Sequence, residues 1–243
     1  RELAADRPSS YLNRAGIELD HGSPEGALRE LAELRRLDPR NLDATRLEAM
    51  LHLYLDSSTP EQVAALHRRA GSVVQSVFST EAPRFVLTRA PDRVLRVAFV
   101  SPDFKHHSVA SFLLPLIEAL DRARIQPLCY HLAPIDDEIT RRFRAISVFR
   151  DVAHLGDRDL VQRVRDDRVD IAIDLAGLTH GGRLTAFAAR LAPIQVTWLG
   201  YPGTTGLPQV DARFVDSVTD PSGSESLCTE QLVRLDPVFV CWR

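Results

Sequence analysis

The stretch Ser101-Pro102-Asp103-Phe104-Lys105-His106-His107-Ser108 places two adjacent histidines and an aspartate where an apolar run gives way to a helical pattern. Imidazole and carboxylate in one turn suit proton transfer or anion recognition. The following helix would add the positive end of its dipole, which suits phosphate. The competing reading is a helix cap made by Asp or Ser beside solvated histidines. No Gly-rich dinucleotide fingerprint is present here, which disfavours NAD and FAD.

Two further stretches are chemically equipped. Asp174-Leu175-Ala176-Gly177-Leu178-Thr179-His180-Gly181-Gly182-Arg183 holds three glycines, which permit tight turning or close approach of backbone to a ligand. Thr179, His180 and Arg183 supply donors; an ordinary loop capping the next helix is the alternative. Asp174 ends a buried strand pattern and reads as a hydrogen-bonded structural carboxylate. Trp198-Leu199-Gly200-Tyr201-Pro202-Gly203-Thr204-Thr205-Gly206 could line a sugar or nucleotide site, or form a turn-rich connection. His52 and His67 lie on helical patterns and read as surface or packing residues. Arg68-Arg69 reads as a solvated face or a contact for an acidic partner. Cys129 and Cys241 lie in apolar strand contexts and read as core.

These stretches need a frame. From Val94 the pattern alternates apolar strands with amphipathic helices. Strands are expected at 95–100, 126–132, 169–175, 194–198 and 212–215. Helices are expected at 109–120, 137–145, 157–166 and 184–190. That order predicts a parallel sheet covered by helices on both faces. Ligands sit at the carboxyl ends of strands in such sheets, and all three stretches fall at such ends.

Residues 1–78 differ in character, being rich in Ala, Leu, Arg and Glu with helical spacing. Tyr11, Leu12, Ala15 and Leu19 form one stripe. Gly22 and Pro24 then punctuate the chain as a helix end and a helix start. Ala27, Leu28, Leu31 and Leu34 form a second stripe, and Leu47, Met50, Leu51 and Tyr54 a third. Pro60 to Phe78 holds a fourth helix. The segment from Asn13 to Pro39 resembles a tetratricopeptide repeat, with Ala15, Gly16, Ala27, Leu28 and Pro39 near pattern positions. One repeat cannot bury its own face, so the segment is expected to end a longer array or cap the next domain. A plain helical bundle is the alternative. Residues 79–93 carry two prolines and no periodicity and read as a linker, leaving 94–243 as the α/β unit.

The totals agree with a globular protein: 243 residues, 44% hydrophobic and 26% charged. A formal net charge of −3 and no basic tract leave no sign of nucleic-acid binding. The three cysteines, 129, 228 and 241, share no short spacing, which argues against a disulfide framework or a zinc site. A reducing, cytoplasmic compartment is expected. No apolar run approaches the roughly 20 residues that span a bilayer. The opening RELAADRPSS has no apolar segment of signal-peptide type. It and the closing VFVCWR are expected to lie mid-architecture, as in a piece of a longer chain.

The three stretches, in this order and spacing, resemble the O-GlcNAc transferase family and its plant relatives, the Spindly-type protein O-fucosyltransferases. The resemblance runs from LRVAFVSPDFKHH through DLAGLTHGGR and APIQVTWLGYPGTTG to DARFVDSVTDP, and covers the upstream helices. It implies a GT-B fold, with 94–243 as the N-terminal Rossmann-like lobe and the C-terminal lobe outside this chain. It implies inverting transfer of a sugar, GlcNAc from UDP-GlcNAc, to Ser or Thr of proteins presented along the repeats, with no metal or other cofactor. It places His107, which closes a D-F-x-x-H motif, and Asp103 in the active site, with His107 as a proposed base. It puts Leu199, Gly200, Tyr201 and Pro202 on the donor-sugar side and Gly177, Leu178, Thr179 and Arg183 on the acceptor side. Leu178 and His180 depart from the aromatic and lysine of the animal enzymes, and Ser108 from their proline. Transfer of fucose from a GDP donor is one alternative; a non-catalytic repeat scaffold with a vestigial lobe is another. The missing lobe supplies the groups for the leaving diphosphate, so the 243-residue chain alone is expected to be inactive.

Overall fold

The structure, a computed structural model, describes residues 7–77, 83, 85 and 93–241. Most of the expected linker, with Phe78, Trp242 and Arg243, therefore lies outside the described residues.

Helices α1 (Pro8–Asp20) and α2 (Pro24–Leu37) pack together across a short turn. Gly22 adopts φ +72° there, a backbone conformation glycine takes without a Cβ penalty. The Ser23 hydroxyl accepts from Gly26 N, and Pro24 occupies the first turn. Asn41 caps α3 (Leu42–Leu51) in the same way, through Ala44 N at 3.0 Å. The first two expected stripes meet here, with Ala15, Ala27, Leu31 and Leu34 buried against Ala44 and Leu51. The third stripe divides. Met50 turns toward the α/β unit, and Tyr54, on a short 3₁₀ turn, is 76% exposed. Helix α4 (Pro60–Val77) follows.

The α/β unit is a seven-stranded, wholly parallel sheet in the order β3-β2-β1-β4-β5-β6-β7. Its strands are β1 (Leu95–Ser101), β2 (Ile125–His131), β3 (Val148–Asp151), β4 (Ile171–Asp174), β5 (Ile194–Thr197), β6 (Ala212–Val215) and β7 (Gln231–Arg234). The connecting helices are α5 (Ser108–Ala119), α6 (Glu138–Ile146), α7 (Asp157–Asp166) and α8 (Leu184–Ala188). Alternate residues of β1 enter different cores. Val97 and Phe99 join the residues of α5 and α6, whereas Ala98 and Val100 join those of α7 and α8. Burial on both faces is why these strands read as unbroken apolar runs.

The sequence reading missed β3 and β7. Both are edge strands, and Val148-Phe149-Arg150-Asp151 and Gln231-Leu232-Val233-Arg234 are half-buried with charged ends. Edge strands carry charge and lack the apolar run of a central strand. Cys129 is buried in β2 as expected, but Cys241 is half-buried and in no strand.

Ala49 of α3 and Ala70 and Val74 of α4 belong to the same apolar cluster as β1 and β2. Gly71 of α4 lies so close to Gly206 that an added Cβ would collide with the Gly206 carbonyl. One core thus runs from the last two helices into the sheet, across the linker expected at 79–93.

Candidate active site

β1, β4 and β5 are neighbours at the centre of the sheet, and each ends in one of the three equipped stretches. Their loops therefore leave the same carboxyl edge. Glycines let them touch. A Cβ at Gly181 would lie 3.2 Å from Pro102 Cβ, and one at Gly200 would lie 3.3 Å from Val109 Cγ2. At Gly177 it would strike the Tyr201 ring, and at Gly200 the Leu175 carbonyl. The second stretch thus contacts the first and the third, and the third abuts the first turn of α5.

The first loop is anchored at its base and open at its tip. Phe104 is fully buried, and its carbonyl accepts from Thr140 Oγ1 at 2.7 Å. His106 N donates to Asp137 Oδ2 at 2.7 Å. Asp137 also caps α6, and these amide donors, Thr140 N foremost, pull its carboxyl down to about 2. His107 is the N-cap of α5, exposed, with Nδ1 accepting from Val109 N at 3.2 Å. A neutral imidazole whose Nδ1 accepts carries its proton on Nε2. The free edge of His107 is thus a donor. Asp103 Oδ2 lies 3.9 Å from Nδ1, and Lys105 Nζ lies 3.8 Å from Oδ1. A groove of about 270 Å³ opens from His107 between α5 and α6, edged by Lys105, His106, Ser111 and Arg142.

Asp174 is structural, as read from sequence. It is buried and accepts from Ala176 N, Gly177 N and Thr197 Oγ1 at 2.8–3.2 Å. Burial nevertheless pushes its pKa up to about 6. Two expected acceptor-side residues need correction. Leu178 is fully buried in the core, because an apolar side chain in a turn over packed helices collapses inward. Arg183 is committed to Asp157 Oδ1 at 2.6 Å and to the Leu155 carbonyl. Gly177 lies beneath Tyr201, and the half-buried Thr179 hydroxyl donates to Ala176 O. His180 is the exposed member of this loop.

On the third loop Leu199 and Gly200 are half-buried and Pro202 is exposed. Tyr201, expected on the donor-sugar side, is instead buried: only 8% of it is exposed, and its hydroxyl meets His67 Nε2 of α4 at 2.7 Å. Arg213 donates to the Pro202 carbonyl. Buried Glu230 accepts from Thr204 Oγ1 at 2.5 Å and Thr205 N at 2.7 Å.

A family model described as "Glycosyl transferase family 41" matches residues 47–241, which hold the whole of this site. The chain belongs to glycosyl transferase family 41. It is 34% identical over 210 residues to "Probable UDP-N-acetylglucosamine--peptide N-acetylglucosaminyltransferase SPINDLY" of Petunia hybrida, covering 84% of this chain and 22% of that protein. A UDP-N-acetylglucosamine–peptide N-acetylglucosaminyltransferase of Caenorhabditis elegans is 32% identical over 149 residues, 60% of this chain and 13% of the relative. A solved mutant O-GlcNAc transferase of Thermobaculum terrenum superposes with a TM-score of 0.90 at 33% identity, covering 96% of this chain and 45% of that one. The chain therefore spans about a fifth of the Petunia relative and under half of the solved structure.

The family 41 match starts at residue 47, so α4 lies inside it. Sequence reasoning passed over what α4 contributes. His67 is fully buried, with burial pushing its pKa below the ordinary histidine value. A single histidine among apolar helical residues carries no signal of its partner. Leu199 at φ +74° and Glu230 were equally silent in the sequence. Of the other helical residues, half-buried His52 meets Ser58 Oγ through Nδ1, exposed Arg68 donates to Ser226 O, and half-buried Arg69 lies 3.5 Å from buried Glu48. Among the described residues, no helix is long and apolar enough to cross a membrane.

Proposed function

We propose that the full-length protein transfers GlcNAc from UDP-GlcNAc to Ser or Thr of protein acceptors, with inversion at the anomeric carbon and no metal. The observation that carries this reading is the meeting of the β1, β4 and β5 loops around His107 at the start of α5, in a family 41 chain. The names of the Petunia and Caenorhabditis relatives support the donor and the peptide acceptor. The helical segment presents the acceptor, a second catalytic lobe completes the cleft, and the free cysteines support a cytoplasmic setting.

In the step, the acceptor oxygen bonds to the anomeric carbon while the bond to the diphosphate oxygen breaks. The hydroxyl proton leaves to a base, and the diphosphate departs with the electron pair. The Nε2–H of His107 suits donation to a sugar, hydroxyl or phosphate oxygen, and Asp103 steadies the ring. Leu199, Gly200 and the Pro202 turn form the donor-sugar wall. On the acceptor side Thr179 and His180 remain available.

The test is turnover of UDP-GlcNAc, with GDP-fucose in parallel, by full-length protein and its His107 variants. His107→Ala should lose about a hundredfold or more in kcat. His107→Gln, which keeps a donor near the Nε2 position, should recover a large part. Equal loss in both would assign His107 as the base instead. The 243-residue chain alone should show no turnover. A full-length enzyme indifferent to His107→Ala would refute the site.

A further inference from the structure

We infer that His67 is a positioning residue for the turn after β5, so that α4 of the helical segment fixes the donor-sugar wall. The inference rests on the function proposed above. Its starting point is Leu199, a bulky residue held at φ +74°. Such a conformation persists only where the surroundings over-determine it. Gly200 seats against the Leu175 carbonyl with no room for a Cβ. Beyond it, three residues of the turn converge on His67. The Tyr201 hydroxyl meets Nε2 at 2.7 Å. A Cβ at Gly203 would lie 2.7 Å from the same Nε2. Gly206, at φ +70°, sits against the His67 carbonyl.

The ring's orientation is chemically determined. Nδ1 lies 2.7 Å from Val63 O, which can only accept, so Nδ1 carries the proton. Nε2 is then a lone pair and takes the Tyr201 O–H. An apolar ring would fill the space but leave that buried hydroxyl without an acceptor. Gly200 also abuts Val109, two residues beyond His107, so a shifted turn is felt at the start of α5.

The test uses full-length protein with His67→Asn, His67→Gln, Tyr201→Phe and the Asn/Phe double variant. Asn reaches only the Nδ1 position and Gln the Nε2 position. With UDP-GlcNAc and an acceptor peptide, His67→Asn and Tyr201→Phe should each lower kcat about tenfold, the donor KM changing less. The double variant should be no worse than either single one, and His67→Gln should recover to within about threefold. Hydrogen exchange at the 199–206 amides should quicken in His67→Asn and Tyr201→Phe and return to the parent rate in His67→Gln. Tyr201→Phe removes one oxygen and keeps the test decisive if His67→Asn does not fold. Parent-like kcat and exchange in Tyr201→Phe would overturn the inference. If the parent transfers no sugar, the proposed function fails by itself; unchanged exchange in the variants would then overturn the positioning role too.

Discussion

Asp174 shows how a residue at the rim can be polar, buried and still not catalytic. Desolvation raises its pKa to about 6, against the hydrogen bonds from Thr197, Ala176 and Gly177. The folded value therefore exceeds the unfolded value of about 3.9. Its contribution to stability is complete below about pH 4 and is lost as pH rises through about 6. Asp174→Asn should abolish that dependence, so the urea midpoint of the variant should gain on the parent between about pH 4 and about pH 6.5. Asp137, held at about 2, acts in the opposite sense and only as pH falls below about 4. His67, lowered by burial, loses its contribution as pH falls below its unfolded value, but this cancels between parent and variant. A constant difference across the window would show that Asp174 titrates normally.

At the scale of elements, two helical glycines should respond oppositely to the same change. Nothing lies within 4 Å of a Cβ built at Gly16 in α1. Gly16→Ala should therefore raise stability by about 0.5–1 kcal/mol through helix propensity alone. Gly71 in α4 is pressed against the Gly206 backbone, which no rotamer change can move aside. Gly71→Ala should gain the same propensity and lose about 1–3 kcal/mol to overpacking, for a net destabilisation. Urea denaturation of both variants measures the signs. A stabilised Gly71→Ala would mean that α4 can lift from the β5 loop without cost.

For the molecule as a whole, the apolar cluster decides where the catalytic lobe begins. Ala49, Ala70 and Val74 share a core with Leu178, Phe187, Tyr201 and Leu207. The cluster of α1 and α2 is separate and touches this body through α3. A chain beginning at Asn41 should stay soluble and unfold cooperatively. One beginning at Arg93 should expose that core and aggregate or lose its cooperative transition. Circular dichroism melts and size-exclusion profiles of the two truncations check this. A stable, cooperative chain from Arg93 would restore the boundary at residues 79–93.

Apart from the edge strands β3 and β7, local sequence pattern was enough to order the elements, to predict the parallel sheet and to put the three equipped stretches at its carboxyl edge. Apolar period and chain position are local properties, and a strand covered on both faces shows them along its length. It also placed Asp103 and His107 at the end of β1 and gave Asp174 its structural part. Which loop side chains are buried and which stay exposed was settled by packing alone. Tyr201 is turned inward by a histidine 134 residues earlier, and Arg46 holds the carbonyl of Leu178 across 132 residues. Side chains in a turn have no period to direct them. Their direction is set by whichever distant element supplies a partner or a space, and that information lies in the packing of α3 and α4 on the sheet.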